Sequence, residues 1–199
     1  AKRNIAFGYN DTLRSFGKLD GTCYTFEKGE SEKMQKDFEK FCVDMLTKCG
    51  AVAPSEKSQF YRSLAVKGLC EKRKQRIGLM DKMFATVCAE TAAELFFVDP
   101  TEVYTGESIG TEILKKIAPF EEKEENPAET IFRSPKPLNY KLGQINPLDS
   151  RNIVAYLVTL WPELMNSETP NRDLRTLCRF IPKEFFASLY ISFLKNKGE

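Results

Sequence analysis

The side chains able to do chemistry lack their usual centre: the 199 residues include no histidine. That removes the commonest general base, the commonest zinc ligand and the one side chain that switches charge near neutral pH unaided. Ser-His-Asp and Cys-His catalysis are therefore excluded within a single chain. Carboxylate chemistry keeps one cluster, Glu102, Glu107 and Glu112 with Lys115. A metal-dependent nuclease places such acids on strands, and the pattern around these reads as no sheet. No Gly-rich phosphate loop, Walker motif or dinucleotide fingerprint occurs. The expectation is a protein that is not an enzyme and that needs no cofactor.

Six cysteines, Cys23, Cys42, Cys49, Cys70, Cys88 and Cys178, form no CxxC pair, so a structural zinc site is not expected. Cys42 and Cys49 are seven residues apart in one helical pattern, roughly 10 Å along the axis. That is too far for a disulfide between them. Most of the others fall at apolar helical positions, where a thiol packs as a small hydrophobe. This favours a reduced, intracellular and cytoplasmic chain. The even cysteine count and the Asn10-Asp11-Thr12 sequon are what a secreted, disulfide-bonded alternative would rest on. Ala1-Lys2-Arg3 is not followed by an apolar stretch, so no secretory leader is expected. No apolar run reaches the roughly 18 residues a membrane span needs.

Charge is nearly balanced, at +2 overall, so any nucleic-acid footprint must come from local clustering. Two basic rows qualify. Lys67, Lys72, Arg73, Lys74 and Arg76 lie close together and, with Arg62, would line one side of the second helix. Each cation beside a phosphate adds affinity through counterion release. Arg172, Arg175, Arg179 and Lys183 recur at steps of three and four, which aligns them on one side of a helix. Arginine forks suit phosphate or carboxylate. A solvated helix end explains either row as well, since cations are favoured there by the helix dipole. Tyr61, Tyr140 and Tyr156 are available for base stacking.

The elements that must carry these groups read as helices. Arg76 to Asp99 is apolar on nearly all its circumference, with Met83, Phe84, Val87, Cys88, Ala92, Leu95 and Phe96 at three- and four-residue steps. A helix apolar all round is surrounded by others. A helix from Ser31 to Cys49, capped by Ser31, should pack on it, and Pro54-Ser55 should start another running toward Lys74. Thr111 to Ile117 reads as a short helix stopped by Pro119, and the acidic stretch 120–148, with four prolines, as a long exposed connector. Asp149-Ser150 caps a helix that Pro162 ends or kinks; further helices start near Thr169-Pro170 and after Pro182. In the last of them Phe185, Phe186, Tyr190 and Phe193 cannot share one stripe. Either this last helix is tucked between two others, or Phe186 and Tyr190 are candidates for a partner surface.

Residues 1–30 differ from the rest. Asp20-Gly21 followed by TCYTFEK reads as a turn and a strand, hence a small hairpin or extended arm. Such an arm either packs on the helices or docks on a neighbouring subunit. The whole reads as a mainly α, multi-helix globular bundle around a buried helix at about 76–99. An N-terminal arm at 1–30 precedes a single helical domain at 31–199. The functional expectation is a non-enzymatic helical interaction or assembly module that binds protein partners, copies of itself among them. The alternative is a nucleoprotein-like RNA binder using the basic rows at 67–76 and 172–183.

Overall fold

The structure, a computed structural model, describes residues 2–49, 77–122, 125–145, 147–165 and 173–197. Nine helices and one two-stranded sheet are found among them. The helices are α1 (Lys2–Ser15), α2 (Glu30–Lys48), α3 (Ile77–Leu95), α4 (Gly106–Glu121), α5 (Pro127–Arg133), α6 (Leu138–Ile145), α7 (Ser150–Met165), α8 (Asp173–Phe180) and α9 (Pro182–Lys197). Strand β1 (Thr25–Phe26) pairs in parallel with β2 (Val103–Tyr104), Thr25 opposite Val103. The fold is mainly α, with α3 at its centre, packed against α2, α4 and α9.

Burial of α3 is complete from Phe84 to Ala93. The helix is interrupted at Met83, whose backbone leaves the helical region (φ −129°, ψ 18°). A second helix is buried on every side: all residues from Phe185 to Phe193 of α9 lie inside. The aromatic richness of α9 is satisfied by two neighbours at once. Phe38 of α2 meets Tyr190 and Phe193 edge-on at 5.4 and 5.3 Å, while Trp161 of α7 meets Phe185 at 5.3 Å. Phe84 of α3 joins the same stack through Phe186 at 5.4 Å. Edge-to-face rings at these distances each add about 1 kcal/mol beyond the area they bury. The indole N–H of Trp161 donates to Ser188 Oγ at 3.1 Å, so the ring is buried without an orphan donor.

Phe186 and Tyr190 are each 1% exposed. The partner surface expected there is therefore corrected: both rings are core, and α9 is tucked between helices on either face.

Other boundaries shift for local reasons. Ser31 does not cap α2. Gly29 stands at the N-cap with φ +89°, and the Asp20 carboxylate accepts from the Gly29 and Ser31 amides at 2.9 and 3.4 Å. A residue from the preceding turn thus supplies the cap. Helix α4 starts at Gly106, well before Thr111, because Thr105 and Ser108 cap each other reciprocally (Ser108 N to Thr105 Oγ1, 3.1 Å; Thr105 N to Ser108 Oγ, 2.9 Å). It also runs through Pro119 to Glu121. Pro119 and, in α7, Pro162 each lie in a last turn, and each helix runs only two or three residues beyond its proline. The stretch expected as a bare connector holds α5 and α6. Pro127 initiates α5 at its first position, behind an Asn126 side chain that accepts from the Ala128 amide at 2.9 Å.

The first thirty residues begin with helix α1, not an extended arm. The expected turn and strand survive as one antiparallel bridge, Asp20 with Phe26, beside the parallel pair with β2. Gly21 makes that turn at φ +97°, where an added Cβ would lie 2.2 Å from the Tyr24 carbonyl oxygen. The expected helix from Pro54 toward Lys74 lies outside the described residues.

Candidate interaction surface

Helix α1 sits on the body through a mixed face, on which Ala6, Phe7 and Leu13 are half-buried beside two polar residues. Asn10 and Arg14, one turn apart, face inward. Asn10 is buried and donates from Nδ2 to the Thr101 carbonyl at 3.0 Å. Arg14 donates from Nη1 to the carbonyls of Thr22 and Tyr24 at 2.9 and 3.0 Å, and also pairs with Asp11. The opposite side carries Ile5, Tyr9, Thr12 and Phe16 at steps of four, three and four, which is one face of a helix. Phe16 keeps that register just past the helix end, since its amide donates to the Thr12 carbonyl at 3.1 Å. Ile5 is 70% exposed, Tyr9 64% and Phe16 75%. A surface helix ordinarily turns its apolar stripe to the core and its polar face to water. Here apolar side chains lie on both faces: Ala6, Phe7 and Leu13 are half-buried on the inward side, and the outer stripe is left in water.

The loop that receives α1 is fixed from beneath by Glu90. This carboxylate belongs to α3 and is fully buried. Its Oε1 accepts from the amides of Thr22, Cys23 and Tyr24 at 2.6, 3.0 and 3.2 Å, and Oε2 accepts from the Thr22 hydroxyl. Three convergent N–H groups and a hydroxyl are the partners a buried carboxylate requires. Tyr24 closes the loop by donating from its hydroxyl to the Val98 carbonyl at 3.0 Å. The inward face of α1 therefore rests on a rigid seat, and its outward face is presented rather than loose.

Beside α1 lies an open groove of about 900 Å³, between the segment following α3 and the first turns of α4. Asp99, Glu102, Glu107 and Glu112 line it, against Lys116. The Asp99 carboxyl is held below the usual carboxylate range by the Thr101 amide and hydroxyl and, more weakly, by Arg3 of α1. Phe97 (72% exposed) and Val103 (44%) supply its apolar surface. Phe97 is unusual in its backbone as well, with φ +53°. It closes α3 at the position where glycine is preferred, its amide bonded to Glu94 O at 3.2 Å and the Val98 amide to Ala93 O at 2.9 Å. The Arg151 guanidinium lies 5.1 Å from the Phe97 ring centre and 4.9 Å from that of Phe120, and is gripped by both Asp149 oxygens. That holds the Phe97 ring at the groove.

A second cleft, of about 430 Å³, lies between α2, α4 and α9. Its walls include Met34, Leu114 and Phe193, with the Lys197–Asp37 pair (2.7 Å) among its lining residues. Gly106 and Gly110 let α4 approach closely here: a Cβ on either would come within 2.8 Å of Met34 Cγ or Leu194 Cδ2. This cleft is a seam of the packed core.

Of the residues singled out from sequence, the first basic row and Arg62 lie outside the described residues, as do Cys70 and Arg172. Arg175 falls within α8, its side chain outside the description; Arg179 is exposed on α8, and Lys183 is half-buried in the first turn of α9. Convergence of the two rows is therefore not a feature of the described residues. Glu102, Glu107 and Glu112 do come together, as walls of the acidic groove, with Lys115 reaching Glu112 only at 3.9 Å. Among the described residues, no three His, Cys, Asp or Glu side chains are grouped to hold a metal ion. No described helix is long and apolar enough to cross a membrane. Cys42, Cys49, Cys88 and Cys178 are buried and Cys23 is exposed. Burial pushes the Cys49 thiol up to about 11 and the Cys178 thiol up to about 12. That makes both poor nucleophiles at neutral pH.

Sequence reasoning missed Ile5, Tyr9 and Phe16, Glu90 and Phe97. The stripe had a signal, its helical spacing, obscured by Gly8. Glu90, the one acid within the stretch from Phe84 to Ala93, was the other readable mark. Compared with known proteins, the chain matches no family model, and no curated protein or solved structure matches it.

Proposed function

We propose that this chain is a non-enzymatic helical interaction module that binds protein partners, a second copy of itself among them. The observation that carries the reading is the exposed apolar stripe on α1. Three large apolar side chains lie on its outer face, more than three-fifths exposed, while polar pins hold the helix to a rigid seat. Leaving such a side chain in water forgoes about 1.5–3 kcal/mol relative to burying it. A partner that covers the stripe recovers this.

Replacing Ile5 and Phe16 together by Asp tests the reading. Both sites are exposed, so the change in folding stability should stay within about 0.5 kcal/mol, and the circular dichroism spectrum should be unchanged. The mass in solution by light scattering, or the affinity for a purified protein partner, should fall. A variant that keeps its associations overturns the proposal. A 260/280 absorbance ratio showing bound nucleic acid, with affinity collapsing in salt, would favour the RNA-binding alternative instead.

A further inference from the structure

We propose that the cleft between α2, α4 and α9 is a binding site for a small uncharged molecule, an apolar body with one hydroxyl or carbonyl oxygen that the Tyr190 hydroxyl anchors. The site is separate from the α1 stripe and does not rest on it.

Tyr190 is the residue that points to a ligand. Its ring is core, edge-on to Phe38 and tilted against Phe193 at 5.9 Å, and only 1% of the residue is exposed. Yet it lines the cleft, and among the described residues no group hydrogen-bonds its hydroxyl. The little surface the residue keeps is at that oxygen, which is aimed into the cleft. Buried hydroxyls are nearly always paired, and one without a partner costs free energy that a bound group returns. Burial above all, then the Cys88 thiol and the Glu30 carboxylate, pushes its ionisation up. At neutral pH it is therefore a neutral hydroxyl, able to donate and to accept.

The charges around the cleft are committed to one another. Glu30 accepts from the Gly106 amide at 2.6 Å and pairs with Lys33 at 3.3 Å. Asp37 and Lys197 pair at 2.7 Å, and Lys197 also lies 4.9 Å from the centre of the Phe193 ring. The Thr111 hydroxyl donates to the Glu107 carbonyl at 3.1 Å. Glu107 itself faces water in the first turn of α4, where the helix dipole favours a carboxylate. An ionic ligand gains little from cations and acids already matched, and its own desolvation goes unrepaid. A neutral oxygen needs only Tyr190.

The remaining wall is apolar, from Met34, Leu114, Phe193 and Leu194. A volume of about 430 Å³ falls in the range of small-molecule sites, which combine a mostly apolar lining with a few placed polar groups. Water can satisfy the hydroxyl but leaves these walls wetted. An alcohol or carbonyl compound satisfies the hydroxyl and covers the walls.

The test titrates the full chain at pH 7 with three molecules that share one tail: 1-octanol, octanoate and octylammonium. Amide NMR shifts report the site. 1-Octanol should give saturable shifts centred on Gly110, Thr111 and Leu114, with a Kd of about 0.1–1 mM for a ligand of this size. Either ion should bind at least about tenfold more weakly. Tyr190→Phe keeps the ring and removes only the hydroxyl. Octanol affinity should then fall about three- to tenfold, while the Tm holds or rises, because no partner within the chain is orphaned. Leu114→Trp, at a half-buried position, fills the cleft and should abolish the shifts. Tyr190→Phe carries the test alone where that variant melts early. Absence of saturable shifts, or shifts centred elsewhere, overturns the site and leaves a water-filled seam. Octanoate or octylammonium binding as tightly as octanol overturns the uncharged class. Unchanged octanol affinity in Tyr190→Phe, or a Tm that falls, overturns the hydroxyl as the anchor.

Discussion

Replacing Glu90 asks most of the reasoning about how α1 is presented. In Glu90→Gln the Oε1 acceptor of the Thr22, Cys23 and Tyr24 amides is kept, and the new amide faces the Thr22 hydroxyl, which can accept. Only the charge assistance is lost, at a cost of about 1–2 kcal/mol. In Glu90→Ala all four donors lose their acceptor. Water can reach Thr22 and Cys23, which are not fully buried, but the Tyr24 amide is inside. Its orphaned N–H costs about 1–3 kcal/mol, and the other lost charge-assisted bonds bring the total to about 3–5 kcal/mol. Against the 5–15 kcal/mol of a typical domain this is a large share. Urea unfolding gives both values, and native-state hydrogen exchange at the amides of residues 22–24 shows whether the seat opens first. An alanine variant no less stable than the glutamine one, with those amides still protected, would refute the claim that Glu90 fixes the seat.

Three further outcomes follow from the same geometry. At position 97 the left-handed backbone reverses the usual helix preference, so Phe97→Gly should be more stable than Phe97→Ala by about 1 kcal/mol in urea unfolding. Gly21→Ala should cost more than about 2 kcal/mol, because its Cβ meets a backbone carbonyl. Gly29→Ala, strained in φ but with open space around it, should cost only about 1 kcal/mol. For the Cys178 thiol, burial favours the neutral form and raises the folded value to about 12. Its contribution to stability is therefore fully present below the unfolded value of about 8.5 and is lost as pH rises toward 12. Urea midpoints between pH 8 and 11 should fall with rising pH, and Cys178→Ala should lessen the slope by up to about 1.4 kcal/mol per pH unit.

The fold was legible where burial follows from one chain segment alone. An all-round apolar helix at 76–99 announces the centre of the bundle, and the stripe of Met34, Phe38, Cys42 and Met45 announces α2. It was illegible where a second element decides. For Phe186 and Tyr190 the sequence left a partner surface and a helix tucked between two others both open, and only the packing of α2, α3 and α7 around α9 decides for the second. Prolines near helix ends were read as stops, although a last turn tolerates them. The acidic groove was half visible: Glu102, Glu107 and Glu112 were grouped from sequence, but the grouping pointed to catalysis. The exposed Phe97 and the neighbouring α1 that change its meaning depend on the chain folding back. The stripe on α1 was hidden by a rule applied in its usual sense, since apolar spacing was sought for what it buries.

The central claim is that the outer face of α1 is an interaction surface that a second copy can cover. Sedimentation of the wild-type chain in a dilution series, in low salt, tests it most directly. The account predicts a reversible passage from the 22.8 kDa monomer to a dimer, with exchange protection across residues 5–16 changing in step. A single 22.8 kDa species at every concentration, with residues 5–16 equally exposed throughout, would contradict it.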